Sequence, residues 1–344
     1  MGADVLLSAA TATIDKIVPR AAKQRLKNMR KALLLLLRGA VALAFGALAG
    51  GAVPHGIAGK RFFPATLATD DPFVADELSL PTISSIKTPA GDDGPATREA
   101  AFSVDVSKRI TENLGVGFGA SYLQLRPDGG GTLRGFDNAA ANIKYKFYQS
   151  DEHETILSVG ADWDIGRSGS KRVGAESFST VTPALFFGKG FGDLPDSAMY
   201  LRPFALTGSV GIGIPSRSSS TSFSDDGDIQ VERHPHTLEW GFAIEYSLPY
   251  LQAFVKDVGL PEPLNKMIPV VEFALSTPLD RGRGPTTGTV NPGILWAGRY
   301  MQLGLEAVVP VNRQTGSRVG WIAQLHFFLD DLFPTTIGKP IFGK

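Results

Sequence analysis

Leu114-Gly115-Val116-Gly117-Phe118-Gly119-Ala120-Ser121-Tyr122 alternates without a break, apolar residues at even positions and glycine or serine at odd ones. A β-strand turns successive side chains to opposite faces, so this stretch has one greasy face and one almost bare face; a helix would scatter both sets around its axis. Gly115 to Ala120 also fits G-x-G-x-x-A on paper. A dinucleotide loop needs a helix to follow it, and here the alternation simply continues, so the glycines read as strand positions.

The same rhythm recurs along the chain. Phe102, Val104 and Val106 alternate with Ser103, Asp105 and Ser107. Ala139 to Phe147, Leu157 to Ile165, Leu238 to Ser247, Val271 to Ser276 and Leu303 to Val309 repeat the pattern, and weaker versions span Leu78 to Thr88, Phe178 to Phe191, Ala198 to Ile214, Val290 to Gly298 and Val319 to Phe328. The charges in the clearest runs fall on the non-apolar face: Lys144, Lys146, Asp162, Asp164, Glu239, Glu245, Glu272 and Glu306. An ionised side chain facing lipid near mid-membrane costs about 2–4 kcal/mol for Arg or Lys, so these eight are expected to line a lumen or a rim. The fold expected is all-β, a transmembrane antiparallel up-and-down β-barrel of about 12 strands, the even number that single-chain bacterial barrels have.

Connection lengths test that count. With the first strand running outward, the periplasmic turns fall at 111–113, 149–153, 192–197, 249–265 and 299–300, and the external loops at 89–95, 126–135, 167–177, 215–235, 278–287 and 311–316. The first set is mostly short and the second mostly long, as in outer-membrane barrels. The exception, Pro249 to Asn265, places Leu251, Phe254, Val255 and Val258 at helical spacing and reads as a short periplasmic helix. Aromatic residues near strand ends, among them Tyr122, Phe147, Tyr148, Trp163, Tyr250, Trp296, Trp321 and Phe328, are expected to form interfacial girdles.

The first fifty residues speak of export. A basic stretch from Arg20 to Arg38 precedes the apolar run Gly39 to Ala49, too short to cross a bilayer as a helix, and Ala47-Leu48-Ala49 offers the small residues a signal peptidase needs. Residues 1–49 therefore read as a signal peptide, with Met29 as an alternative start; 50–77 as an N-terminal periplasmic segment; 78–328 as the barrel; and 329–344 as a C-terminal periplasmic tail.

Composition excludes several functions. The formal net charge is zero, which leaves no global field for nucleic acid, and the absence of cysteine removes disulfides, thiolate metal sites and a cysteine nucleophile. Gly188-Lys189-Gly190 lacks the rest of a phosphate loop, and there is no G-x-S-x-G elbow. His234-Pro235-His236 is the one histidine cluster and reads as loop. Neither an enzyme, a cofactor nor a metal site is expected.

Four stretches carry a family resemblance: Gly59-Lys60-Arg61-Phe62-Phe63-Pro64-Ala65-Thr66, Asp70-Asp71-Pro72-Phe73-Val74-Ala75-Asp76-Glu77-Leu78, Ser107-Lys108-Arg109-Ile110-Thr111-Glu112-Asn113-Leu114-Gly115 and His326-Phe327-Phe328-Leu329-Asp330-Asp331-Leu332-Phe333-Pro334. In these the chain resembles outer-membrane transporters of the phenol-degradation MetA-pathway type. The resemblance implies a barrel concerned with small, often hydrophobic molecules and supplies no ligand residues. The function expected is an outer-membrane channel or transporter-like barrel for small solutes, hydrophobic and aromatic ones among them, with outer-membrane lipid and the solute as partners. The alternative is a structural or adhesive barrel with a closed lumen and partner-binding external loops.

Overall fold

In the computed structural model the alternating segments close on themselves. The structure describes residues 56–90, 94–223, 229–280, 282 and 284–343; the expected signal peptide lies outside the described residues. Twelve antiparallel strands form the wall: β1 (Glu77–Thr88), β2 (Thr97–Arg109), β3 (Leu114–Pro127), β4 (Ala139–Ser150), β5 (Thr155–Ile165), β6 (Thr180–Gly190), β7 (Phe204–Pro215), β8 (Thr237–Tyr246), β9 (Met267–Pro278), β10 (Thr287–Ala297), β11 (Met301–Pro310) and β12 (Gly320–Phe328). Each pairs with the next, and β12 returns to β1 with Trp321 opposite Ser85 and Phe328 opposite Glu77. Closure leaves none of the twelve wall strands as a sheet edge, which is the condition for strands to stand in hydrocarbon.

Side-chain direction follows the pattern read from the sequence. Phe118, Ile143, Tyr145, Val159, Trp163, Leu303 and Leu305 are exposed on the outer wall, while Ser158, Thr207, Ala243, Glu272 and Gln302 are buried on the inner one. Two irregularities re-aim residues. The β4–β5 register shifts between Lys146 and Tyr148, so Phe147 and Tyr148 are both exposed. In β1 the ladder skips from Ser79 to Thr82, past Pro81, which has no N–H to give it.

Turns at 110–113, 151–154 and 298–300 mark one end, together with the longer segments 191–203 and 247–266; loops 89–96, 128–138, 166–179, 216–236, 279–286 and 311–319 mark the other. A short strand, Leu133–Phe136, extends the outer end of β3, and residues 219–223 and 229–233 make a hairpin above the rim.

Three expectations need correction. The strand placed at Ala198 begins only at Phe204, because Asp196–Leu201 coils into a 3-10 turn and Pro203 interrupts the ladder. The helix expected over 249–265 is confined to Leu248–Tyr250 and a π turn, Leu251–Val255; Pro261 and Pro263 disfavour helix in the residues before them, and the chain is irregular up to a 3-10 turn at Leu264–Lys266. Tyr250 and Phe328, assigned to girdles, are buried. Residues 56–76, part of the 50–77 segment, are folded within the barrel. The C-terminal tail turns back along the β2–β3 turn, with Ile341 N–H donating to Arg109 O (3.1 Å) and Phe342 N–H to Ile110 O (2.8 Å).

Candidate functional site: the strapped lumen

Residues 56–76 cross the inside of the barrel as a strap whose backbone is satisfied by side chains of opposite walls. Leu67, Ala68 and Thr69 donate their backbone N–H groups to the Glu272 carboxylate at 2.7, 2.8 and 2.7 Å, and the Thr69 hydroxyl adds a fourth bond at 2.9 Å. Gln302 Nε2 donates to Ala65 O (2.6 Å), Lys144 Nζ to Asp71 O (2.6 Å) and Ser158 Oγ to Pro72 O (2.5 Å). The donors and acceptors come from β4, β5, β9 and β11, so the strap spans the bore.

Both ends of the strap are pinned. At its start, fully buried Arg61 forms an ion pair with Glu154 (3.2 Å), donates to Pro203 O (2.9 Å) and to Arg202 O, and lies 3.8 Å over the Tyr250 ring, whose hydroxyl donates to the same Glu154 at 2.8 Å. At its end, buried Asp76 holds Lys108 (2.6 Å) and Arg109 (2.8 Å). Apolar packing completes the seat. Phe63 packs on Ala58, Ala205 and Phe73, and Leu67 packs with Phe62 and Ala297 on Ala243, Ile268, Val270 and Leu295.

The eight expected lumen residues separate into groups. Glu245 and Glu272 are buried, Glu245 accepting from Thr207 Oγ1 (3.2 Å); Glu306 is buried opposite Gly293 on the strand beyond Asn291. Lys144 is spent on the strap and on the Phe186 ring, 4.4 Å from its centroid. Glu239 accepts from Ser276 Oγ (2.7 Å) and Asp164 from Asn138 Nδ2 (3.1 Å). Lys146 reaches Gln149 (2.9 Å), near the short-turn end, while Asp162 stands opposite Asn142 and Thr182. Between the strap and β1–β4 and β12 lies a cavity of about 330 Å³, lined among others by Asp70, Asp71, Asp105, Asn142, Lys144 and Gln324. Asp70 is within electrostatic range of both Asp105 and Asp162.

A closed sheet, an apolar exterior and a polar, strapped interior decide the membrane question. The chain is an outer-membrane β-barrel. No protein-family model matches it, and no curated protein does. Among solved structures, an outer membrane channel from Pseudomonas putida F1 aligns over 76% of this chain and 97% of its own at 10% identity and a TM-score of 0.48. The β domain of the Bordetella autotransporter BrkA aligns over 74% and 99% at 12% identity (TM-score 0.43), and the KdgM porin over 73% and 98% at 10% (TM-score 0.41). These are likenesses at low identity.

Among the described residues, no group of three or more His, Cys, Asp or Glu is placed to hold a metal ion. His234 bonds Ser220 (2.9 Å) and stacks on Phe178 with centroids 3.8 Å apart, tying the external hairpin to the β5–β6 loop.

The strap carries its own pH dependence. Burial pushes the Asp71 carboxyl up to about 6 against the opposing pull of Lys144, with Glu77 and Asp70 adding to the rise. A released strap exposes Asp71 at about 3.9, so the docked state binds this proton more tightly. That contribution is fully present below about pH 4 and is lost as pH rises through about 6. Strap release in a planar bilayer is therefore expected to be more frequent at pH 7 than at pH 5, and Asp71→Asn should flatten the difference. Equal open fractions at both pH values in the unmodified barrel would contradict it.

Proposed function

We propose that the barrel is a channel for small polar solutes, closed at rest by the strap and cation-preferring when the strap moves. The cavity beside Asp70, Asp71 and Asp105 carries this reading, because it is the room into which a displaced strap or a solute can move. Its charge supports the sign of selectivity. Asp105, Asp162, Asp164 and Glu239 face the bore with their carboxylates only partly buried, whereas the ammonium of Lys144 is already committed. Rings of carboxylates favour cations. Such a lumen suits small polar cations better than the hydrophobic molecules that the MetA-pathway resemblance implies.

The test is single-channel recording with reversal potentials in a salt gradient. Discrete steps with cation preference, weakened in Asp105→Asn/Asp162→Asn, are expected. Pinning at both ends of the strap favours one other reading, a permanently closed structural barrel. Under it, the barrel and its strap-release variants alike would be folded, heat-modifiable and silent.

A further inference from the structure

The outer wall carries a feature that passage through the lumen does not use. Lys87 of β1 stands opposite Arg98 of β2, and Arg98 opposite Arg126 of β3. The three share the outward parity of Phe102, Phe118 and Tyr122, which are exposed on the wall. Like charges directly opposite on neighbouring strands repel and destabilise the pair, so three in one row call for a counter-charge. Arg134, paired opposite Gln124 and donating to its Oε1 at 3.0 Å, adds a fourth cation one step nearer the apolar belt.

Among the described residues, the local acid is insufficient. Asp128 bonds Lys87 (2.6 Å), and that bond, with Arg318 and Arg98 nearby, holds its carboxyl below the usual range. Among the described residues, neither Arg98 nor Arg126 has an ion-pair or hydrogen-bond partner. At the short-turn end the outward Lys108 and Lys189 do have carboxylates, Asp76 and Asp193. Among the described residues, no other of the twelve wall strands turns a charged side chain outward at the long-loop end.

The place and the dimensions identify the counter-charge. Two steps below the row, past Ala100 and Gln124, lie Phe102, Tyr122 and Phe136, the latter two in edge contact at 5.2 Å, an apolar ledge for acyl chains. The row crosses three strands, about 10 Å at the usual interstrand spacing, which is more than one phosphate can cover. Guanidinium forks bind phosphate oxygens in pairs. We propose that Lys87, Arg98, Arg126 and Arg134 form a site for the phosphate groups of a multiply phosphorylated glycolipid packed against the outer wall.

The experiment measures binding of a bis-phosphorylated lipid A to the purified full-length barrel in detergent. The same lipid with both phosphates removed, and free pyrophosphate, serve as comparisons. Tight binding of the phosphorylated lipid is expected, weakened by salt and weakened about tenfold or more in Arg98→Gln/Arg126→Gln, since a hydrogen bond to a charged group contributes about 1.5–3 kcal/mol. Arg126→Gln alone gives the same test, with a smaller loss, should the double variant fold poorly. Equal binding of the dephosphorylated lipid, or unchanged binding in the variants, overturns the site. Pyrophosphate binding as tightly as the lipid assigns the row to soluble anions and overturns the lipid as occupant. None of these outcomes depends on whether the lumen conducts.

Discussion

Glu272→Ala is expected to turn rare openings of the barrel into frequent ones while leaving the wall folded. Glu272 is completely buried, and its two oxygens accept three backbone N–H groups and one hydroxyl from Leu67–Thr69. Each bond to a charged acceptor contributes about 1.5–3 kcal/mol, though four on one carboxylate do not add. Water entering the vacated space recovers part of the loss, so about 3 kcal/mol is a reasonable net change, roughly a hundredfold in the ratio of released to docked strap. Glu272→Gln keeps one acceptor oxygen but points an amide donor at N–H groups, and should fall between the two. Open probability in a planar bilayer, alongside heat-modifiable migration as the check on folding, reads the effect. A folded alanine variant whose openings stay as rare as the parent's would remove Glu272 as the latch.

The wall was legible because its signal is local. Leu114–Tyr122 shows strand, facing and burial within nine residues, and a closed sheet converts that parity directly into lipid-side and lumen-side positions. The strap was not legible, because each of its bonds joins residues far apart in the chain: Leu67 to Glu272, Ala65 to Gln302, Arg61 to Glu154. Its sequence, with Phe63 and Phe73 beside Pro64 and Pro72, is too apolar for a solvated linker and too irregular for a strand. That combination was the available signal. Parity put Glu272 and Asp162 on the same side of the wall yet could not say that one anchors the strap and the other faces open bore. Asp105, which lines the cavity, was visible in the Phe102–Ser107 alternation although it was not singled out as a site residue.

Arg61→Met should cost more than any surface change, because the guanidinium it removes is fully buried beside a carboxylate that stays. Glu154 would keep the Tyr250 hydroxyl and the Gly192 N–H (3.1 Å) but lose its cation, and a buried charge stripped of its partner typically costs about 3–5 kcal/mol. The carbonyls of Arg202 and Pro203 lose their donor in the same step. Methionine keeps most of the apolar volume against Tyr250, so the loss is electrostatic rather than a cavity. Urea unfolding in lipid vesicles is expected to show the variant destabilised by that amount, and Arg61→Met/Glu154→Gln to recover part of it. If the double variant were as unstable as the sum of the singles, the pair would not be coupled. The start of the strap would then be held by Phe63 packing on Ala58, Ala205 and Phe73 instead.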